Sequence, residues 1–231
     1  MAIFAKNDPR LAVFDHFIVH AAATTRRMKN VDAAWIDREH RKRGWSGCGY
    51  HAVITRSGKL QMRDRGDPTR PLDKVGAHVG GCGPGWNRRS FGVCLAGGLD
   101  EDGRPENNFT KRQFRALKRL IVAFLSEHAA PETVRIMGHR DLIRLTRASP
   151  KACPCFDVAD FMQEYGLSED EDAGTGDLLT ALTLPAEYRV RRGDSLWKIA
   201  QTYGVSVAEL MAWNDLKSDV IKPGQTLRLF G

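Results

Sequence analysis

Three residues in this chain carry the donor chemistry of a metal site: His20, His139 and Cys153. His20 closes a short apolar run, Phe17-Ile18-Val19, and His139 follows a predicted strand, Val134 to Met137, after Gly138. That is the pattern of a buried strand with a polar group just past its end. Cys153 follows fourteen residues after His139 in a proline-rich loop. Imidazole nitrogen and thiolate sulfur are ligands that zinc prefers, and three protein ligands leave the fourth tetrahedral position open, as catalysis requires. The three are spread over 134 residues and form no short motif. Taken singly, each histidine is more often a hydrogen-bonded structural residue, so both readings stay open at this level.

Whether the three meet depends on the elements around them. Asp32 to Arg43 predicts a helix with Ala33, Ala34 and Ile36 inward and Gly44 as its stop. His51–Thr55 and Lys59–Met62 predict two strands around an Arg-Ser-Gly turn, and Phe91–Leu95 predicts another. Thr110 and Gln113 form a capping box ahead of Phe114, Leu117, Ile121 and Leu125, one face of an amphipathic helix. Loose alternation of strands and helices, with one hairpin, predicts an α/β fold: a mixed β-sheet flanked by helices. Such a sheet can bring the ends of the strands before His20 and His139 together. Side chains alternate along a strand, so His51 points away from Tyr50 and is expected to pack. His16, His40 and His128 suggest surface or cap roles only.

Composition bounds the function. The chain has 231 residues, 42% hydrophobic and 27% charged, enough apolar side chain for a core and inconsistent with general disorder. The longest unbroken apolar run, Leu120–Leu125, is far short of the roughly 20 residues of a membrane span. The start, MAIFAKNDPR, lacks the apolar stretch of about 7–15 residues of a secretory signal. The expectation is a protein made in the cytoplasm without membrane insertion. Five cysteines, an odd number, argue against a disulfide framework. Residues 1–165 hold 28 Lys and Arg against 18 Asp and Glu, a net +10 that suits an anionic partner. No run of 5–8 basic residues occurs, so nucleic acid is disfavoured.

Residues 166–186 carry five acidic and no basic residues, with Glu169–Asp172 followed by Ala-Gly-Thr-Gly. Like charges in a row repel and stay solvated, so this stretch is expected to link a domain at 1–165 to one at 187–231. In the second piece, Tyr188–Val190 and Thr226–Phe230 predict strands. Leu196, Ile199, Ala200 and Tyr203 predict a helix stopped by Gly204, and a Ser206–Glu209 capping box opens a second helix with Leu210 and Trp213. The order is strand, helix, helix, strand. The markers V-x-x-GDSLWKIA, Tyr203-Gly204, Asn214 and I-x-PGQ-x-L resemble a LysM module. That resemblance implies a βααβ domain binding N-acetylglucosamine-containing glycan through Gly193, Asp194, Ser195 and the loop after Asn214. The same side chains are equally a turn and a helix cap, with backbone amides left to hold the sugar.

Over residues 17–157 the segments FIVHAAAT, RGWSGCGYHAVITRSG, SFGVCLAGG, NNFTKRQF, GHRDL and PKACPCFD occur in order. Together they are similar to the zinc N-acetylmuramoyl-L-alanine amidases, in the superfamily of amidase-type phage lysozymes and peptidoglycan recognition proteins. The resemblance implies one zinc ion held by His20, His139 and Cys153, with Tyr50 and Lys151 as catalytic residues. It implies peptidoglycan as polymer substrate, cut between N-acetylmuramic acid and L-alanine, and an endolysin that reaches the wall once the membrane is opened. The sequence departs from the family in a longer glycine-rich segment, HVGGCGPGWNRRS, at 78–90. There, His78 is a candidate substrate contact or a solvated loop histidine, and Trp86 a candidate sugar platform. Cys155 is expected to be buried and not a ligand. Two alternatives remain: a non-catalytic peptidoglycan receptor on the same fold, and an amidase that also inhibits a polymerase partner.

Overall fold

The computed structural model describes residues 2–167, 187–203 and 207–229. Residues 168–186, most of the expected linker, lie outside the described residues, as do Gly204, Ser206 and the side chain of Glu209. No described helix is long and apolar enough to cross a membrane.

The N-terminal unit is built on five strands, β1 (His16–Ala21), β2 (Ala52–Ile54), β3 (Leu60–Met62), β4 (Ser90–Leu95) and β5 (Arg135–Gly138). Their order is β3-β2-β4-β1-β5, parallel except for the β2–β3 hairpin. The sheet is mixed, as expected. Both of its faces are covered, which is why β1, β2 and β4 are buried throughout.

Alternation assigns the faces. Phe17 and Val19, Ala52 and Ile54, and Phe91, Val93 and Leu95 pack against α3 (Lys111–Glu127). Ile18 packs instead with Leu142 and Ile143 of α4 (His139–Thr146), while Val53 and Cys94 pack with Ala33 and Ile36 of α1 (Ala33–Lys42). α1 begins where expected because Asp32 accepts from the Trp35 backbone amide. α3 has the predicted capping box, and its buried Gln113 also donates to the carbonyls of Ile54 and Ala96.

Three short helices were not anticipated: α2 (Trp86–Arg89) inside the glycine-rich segment, α4 (His139–Thr146), and α5 (Val158–Glu164). α5 is too short for a periodic signal; Asp157 caps it and Phe161 joins the α3-side core. Leu167 packs into that core as well, two residues past the boundary expected from the acidic run.

All seven histidines are buried. Of the surface or cap roles expected for His16, His40 and His128, the surface one is therefore corrected, while His128 is the C-cap of α3. His16 Nδ1 meets Asp15, His40 Nδ1 accepts from the Gly49 amide, and His128 spans the Phe14 carbonyl and the Ala130 amide. His51 packs as expected, stacked on Phe91 with ring centroids 5.2 Å apart.

The C-terminal unit has the expected order: β6 (Glu187–Arg189), α6 (Leu196–Tyr203), α7 (Val207–Trp213) and β7 (Thr226–Arg228). β6 and β7 pair antiparallel, and Val190, Leu196, Ile199, Ala200, Leu210, Leu227 and Leu229 form the core.

Candidate metal centre

Topology brings the three candidate ligands together. β1 and β5 are parallel neighbours with Val19 opposite Gly138, so the next residue on each side, His20 and His139, falls at the same level. His20 is still in β1, while His139 opens α4, and their ring centroids lie 4.6 Å apart. The chain returns after α4, and Cys153 accepts from the Ala21 amide at 3.3 Å, while its own carbonyl accepts from the Arg140 amide at 2.7 Å. Gly138 lets this loop approach: a Cβ there would stand 2.7 Å from Pro154 Cδ.

One ligand atom from each of His20, His139 and Cys153 lies within 4.8 Å of the others. His20 Nδ1 is 3.7 Å from Cys153 Sγ. Tetrahedral bonds of the usual Zn–N and Zn–S lengths put such a pair roughly 3.6 Å apart. Nε2 of His139 is buried without a hydrogen-bond partner among the described residues. A buried polar atom that the protein leaves unsatisfied is an exception in folded chains and fits an outside partner. The donor set, the spacing and this orphaned nitrogen all suit zinc.

Burial sets the charges. It lowers the His20 imidazole well below its ordinary value, aided by the charges of His78, His139 and Lys151. His139 is lowered to about 4, by burial first and by Lys151 second. Both rings are thus neutral at pH 7 with a lone pair available. Burial pushes the Cys153 thiol up to about 12 in the metal-free protein. A coordinating metal inverts that, since a thiol bound to zinc is deprotonated.

Tyr50 sits against this cluster, its ring 5.1 Å from that of His20. Burial raises its phenol well above the ordinary value, so it keeps its proton and can donate. Lys151 is exposed, two residues before Cys153, and close enough to bear on both histidines.

His78 differs from its expected place. It is buried behind His20, with its Nδ1 3.0 Å from His20 Nε2 and its Nε2 3.1 Å from the Ser90 carbonyl. Both ring nitrogens are occupied, which leaves none for a substrate. Trp86, half-buried, packs edge-on to His16 and beneath the Arg89 guanidinium, so both contacts are made within the fold. Asn87, which the sequence reasoning missed, accepts from the amides of His78 and Val79 and holds the glycine-rich segment in place. Nothing local in the sequence marks it.

In the C-terminal unit the expected binding side chains hold the fold. Asp194 accepts from Tyr188 Oη and the Arg191 amide, each at 2.7 Å. Ser195 caps α6 at the Lys198 amide, and Asn214 bridges Leu210 and both backbone groups of Arg228. Gly193 turns the chain at φ +91°, where a side chain is strained.

Residues 6–156 match the family described as N-acetylmuramoyl-L-alanine amidase, and residues 188–230 match the LysM domain. The endolysin of Klebsiella phage KP32 is 38% identical over 140 residues, covering 61% of this chain and 80% of that protein. The endolysin of Escherichia phage T7 is 34% identical over 144 residues, covering 62% and 82%. Among solved structures, the endolysin N-acetylmuramoyl-L-alanine amidase LysCS from Clostridium intestinale superposes with a TM-score of 0.50 at 22% identity. It covers 69% of this chain and 88% of that one, a likeness of fold.

Proposed function

The chain belongs to the N-acetylmuramoyl-L-alanine amidase family, and from that membership we propose a zinc-dependent endolysin in which His20, His139 and Cys153 hold one metal ion. It is a phage-type peptidoglycan amidase that carries a LysM domain. The observation that carries the metal reading is the convergence of the three ligand atoms within 4.8 Å, beside the unsatisfied Nε2 of His139.

The bond to be cut joins the lactyl group of N-acetylmuramic acid to L-alanine. Zinc, when bound, supplies a water that ionises near pH 7 and a Lewis acid for the amide carbonyl. The protein's own groups do the rest. Tyr50, protonated because it is buried and with its ring against His20, would donate a hydrogen bond to what binds there and orient it. Lys151 places a positive charge where the carbonyl oxygen becomes negative during attack, the kind of stabilisation whose loss costs about 10²–10³ in rate. Presence of all three ligand residues favours an enzyme over a receptor that only binds.

The division of labour follows the chain. Residues 1–165 would cut, 166–186 would link, and 187–231 would hold the enzyme on N-acetylglucosamine-containing glycan. The net +10 of the cutting part suits an acidic polymer. The enzyme would work on the wall after release from the cytoplasm, like the endolysins it resembles.

The test is digestion of purified walls by wild type and Cys153→Ser, with zinc measured in both proteins. Expected is release of free L-alanine amino groups by wild type, and loss of both activity and most of the zinc in the variant. A variant that kept its activity, or walls that released reducing sugar instead, would overturn the reading.

A further inference from the structure

We propose that His78 is a positioning residue: it fixes the tautomer and the aim of the metal ligand His20 through a hydrogen-bond chain anchored on the Ser90 backbone. This rests on the reading of His20 as a zinc ligand.

The chain has one direction only. A backbone carbonyl accepts and never donates, so the 3.1 Å contact to Ser90 O requires the proton on His78 Nε2. In the neutral ring, Nδ1 of His78 is then an acceptor. The 3.0 Å contact to His20 therefore requires the proton on His20 Nε2. His20 is left with its lone pair on Nδ1, the nitrogen 3.7 Å from Cys153 Sγ. One backbone carbonyl thus determines, two rings away, which nitrogen of His20 faces the metal.

The fold makes room for this chain at measurable expense of side chain. A Cβ on Gly92 would stand 2.6 Å from the His78 ring, and one on Gly76 would stand 2.7 Å from it. Both positions are glycine in backbone conformations open to any residue, so space and not φ accounts for them. Asn87 Oδ1 takes the amides of both His78 and Val79, at 2.9 and 3.1 Å, and clamps the backbone that carries the ring. The ring itself is buried and edge-on to His20, with centroids 5.0 Å apart. Partners that orient a ligating histidine in this way typically contribute 10–100-fold in metal affinity.

The experiment has two arms. In the first, wild type, His78→Phe and His78→Asn compete for zinc against a chromophoric chelator, and turnover is measured at saturating zinc. Phenylalanine fills the space without an acceptor; asparagine can place an oxygen near the lost Nδ1. Expected is zinc affinity weakened about 10–100-fold in His78→Phe and partly restored in His78→Asn, with kcat lowered and KM for a soluble muropeptide unchanged. In the second arm, long-range ¹⁵N–¹H correlation assigns ring tautomers in wild type, which needs no variant to fold. Expected is a proton on Nε2 of both His78 and His20. A folded His78→Phe that binds zinc within twofold of wild type, or an Asn variant no better than Phe, would overturn the inference. So would a proton on His78 Nδ1 in a wild type that binds zinc tightly. Wild type that bound no zinc would instead sink the metal reading on which the inference stands.

Discussion

At the scale of single residues, desolvation decides what each group near His20 can do. A neutral imidazole, a phenol that holds its proton and a thiol kept from ionising are what burial, first among the causes, produces. Lys151, exposed, is the charged residue proposed to answer negative charge in the substrate. Lys151→Met and Tyr50→Phe should each lower kcat by about 10²–10³ while zinc content stays at one ion per chain. Metal analysis beside turnover on a soluble muropeptide checks this; loss of zinc in either variant would make it a ligand-shell residue instead. His51 offers a stability prediction. Burial lowers its folded value to about 4, against 6.5 for the free ring. Between those values the unfolded chain binds the extra proton, so the stability from this group is complete above pH 6.5 and lost as pH falls to about 4. Two and a half pH units correspond to about 3 kcal/mol. Urea denaturation of chelator-treated protein should shift to lower midpoints from pH 7 to 4.5, and His51→Phe should flatten that slope.

At the scale of elements, caps and glycines hold the site. Thr110 accepts from the Gln113 amide and donates to the Arg56 carbonyl, which ties α3 to the β2–β3 hairpin. Thr110→Ala should cost about 1–2 kcal/mol in urea denaturation and leave zinc affinity alone. Gly138→Ala should do the reverse. Its Cβ would meet Pro154 at 2.7 Å and push the Cys153 loop outward, for a roughly tenfold loss in zinc affinity by chelator competition. The main elements were legible in the sequence. Asp32, Thr110 with Gln113, and the apolar spacing of α3 and β4 announced themselves, because caps and periodicity are local. α2, α4 and α5 were not legible: four, eight and seven residues hold too little period to distinguish them from loop.

At the scale of the whole molecule, two units of different size share one chain. A tethered glycan-binding module raises the local enzyme concentration on a polymer, an advantage that can reach about 10²-fold or more. Removing residues 168–231 should therefore raise KM on insoluble walls by up to that factor, with kcat on a soluble muropeptide unchanged. Equal wall binding by full-length and shortened protein in a pull-down assay would overturn the anchoring role.

The sequence by itself determined the fold class, the order of the five strands in the N-terminal unit and of all four elements in the C-terminal one, and it singled out His20, His139, Cys153, Tyr50 and Lys151 as candidates. Those depend on residue type, local spacing and family motifs, all of which are written along the chain. Only the tertiary structure decided that His78 stands behind His20 while His16, His40, His51 and His128 are buried elsewhere. Seven buried imidazoles look alike in sequence, and their roles differ because strand register sets His20 beside His139, while the space left by Gly76 and Gly92 admits His78 behind them. The same holds for Asp194 and Asn214, whose partners lie across a turn or on another strand. A hydrogen bond needs two groups within about 3 Å, and separation along the chain says nothing about that distance.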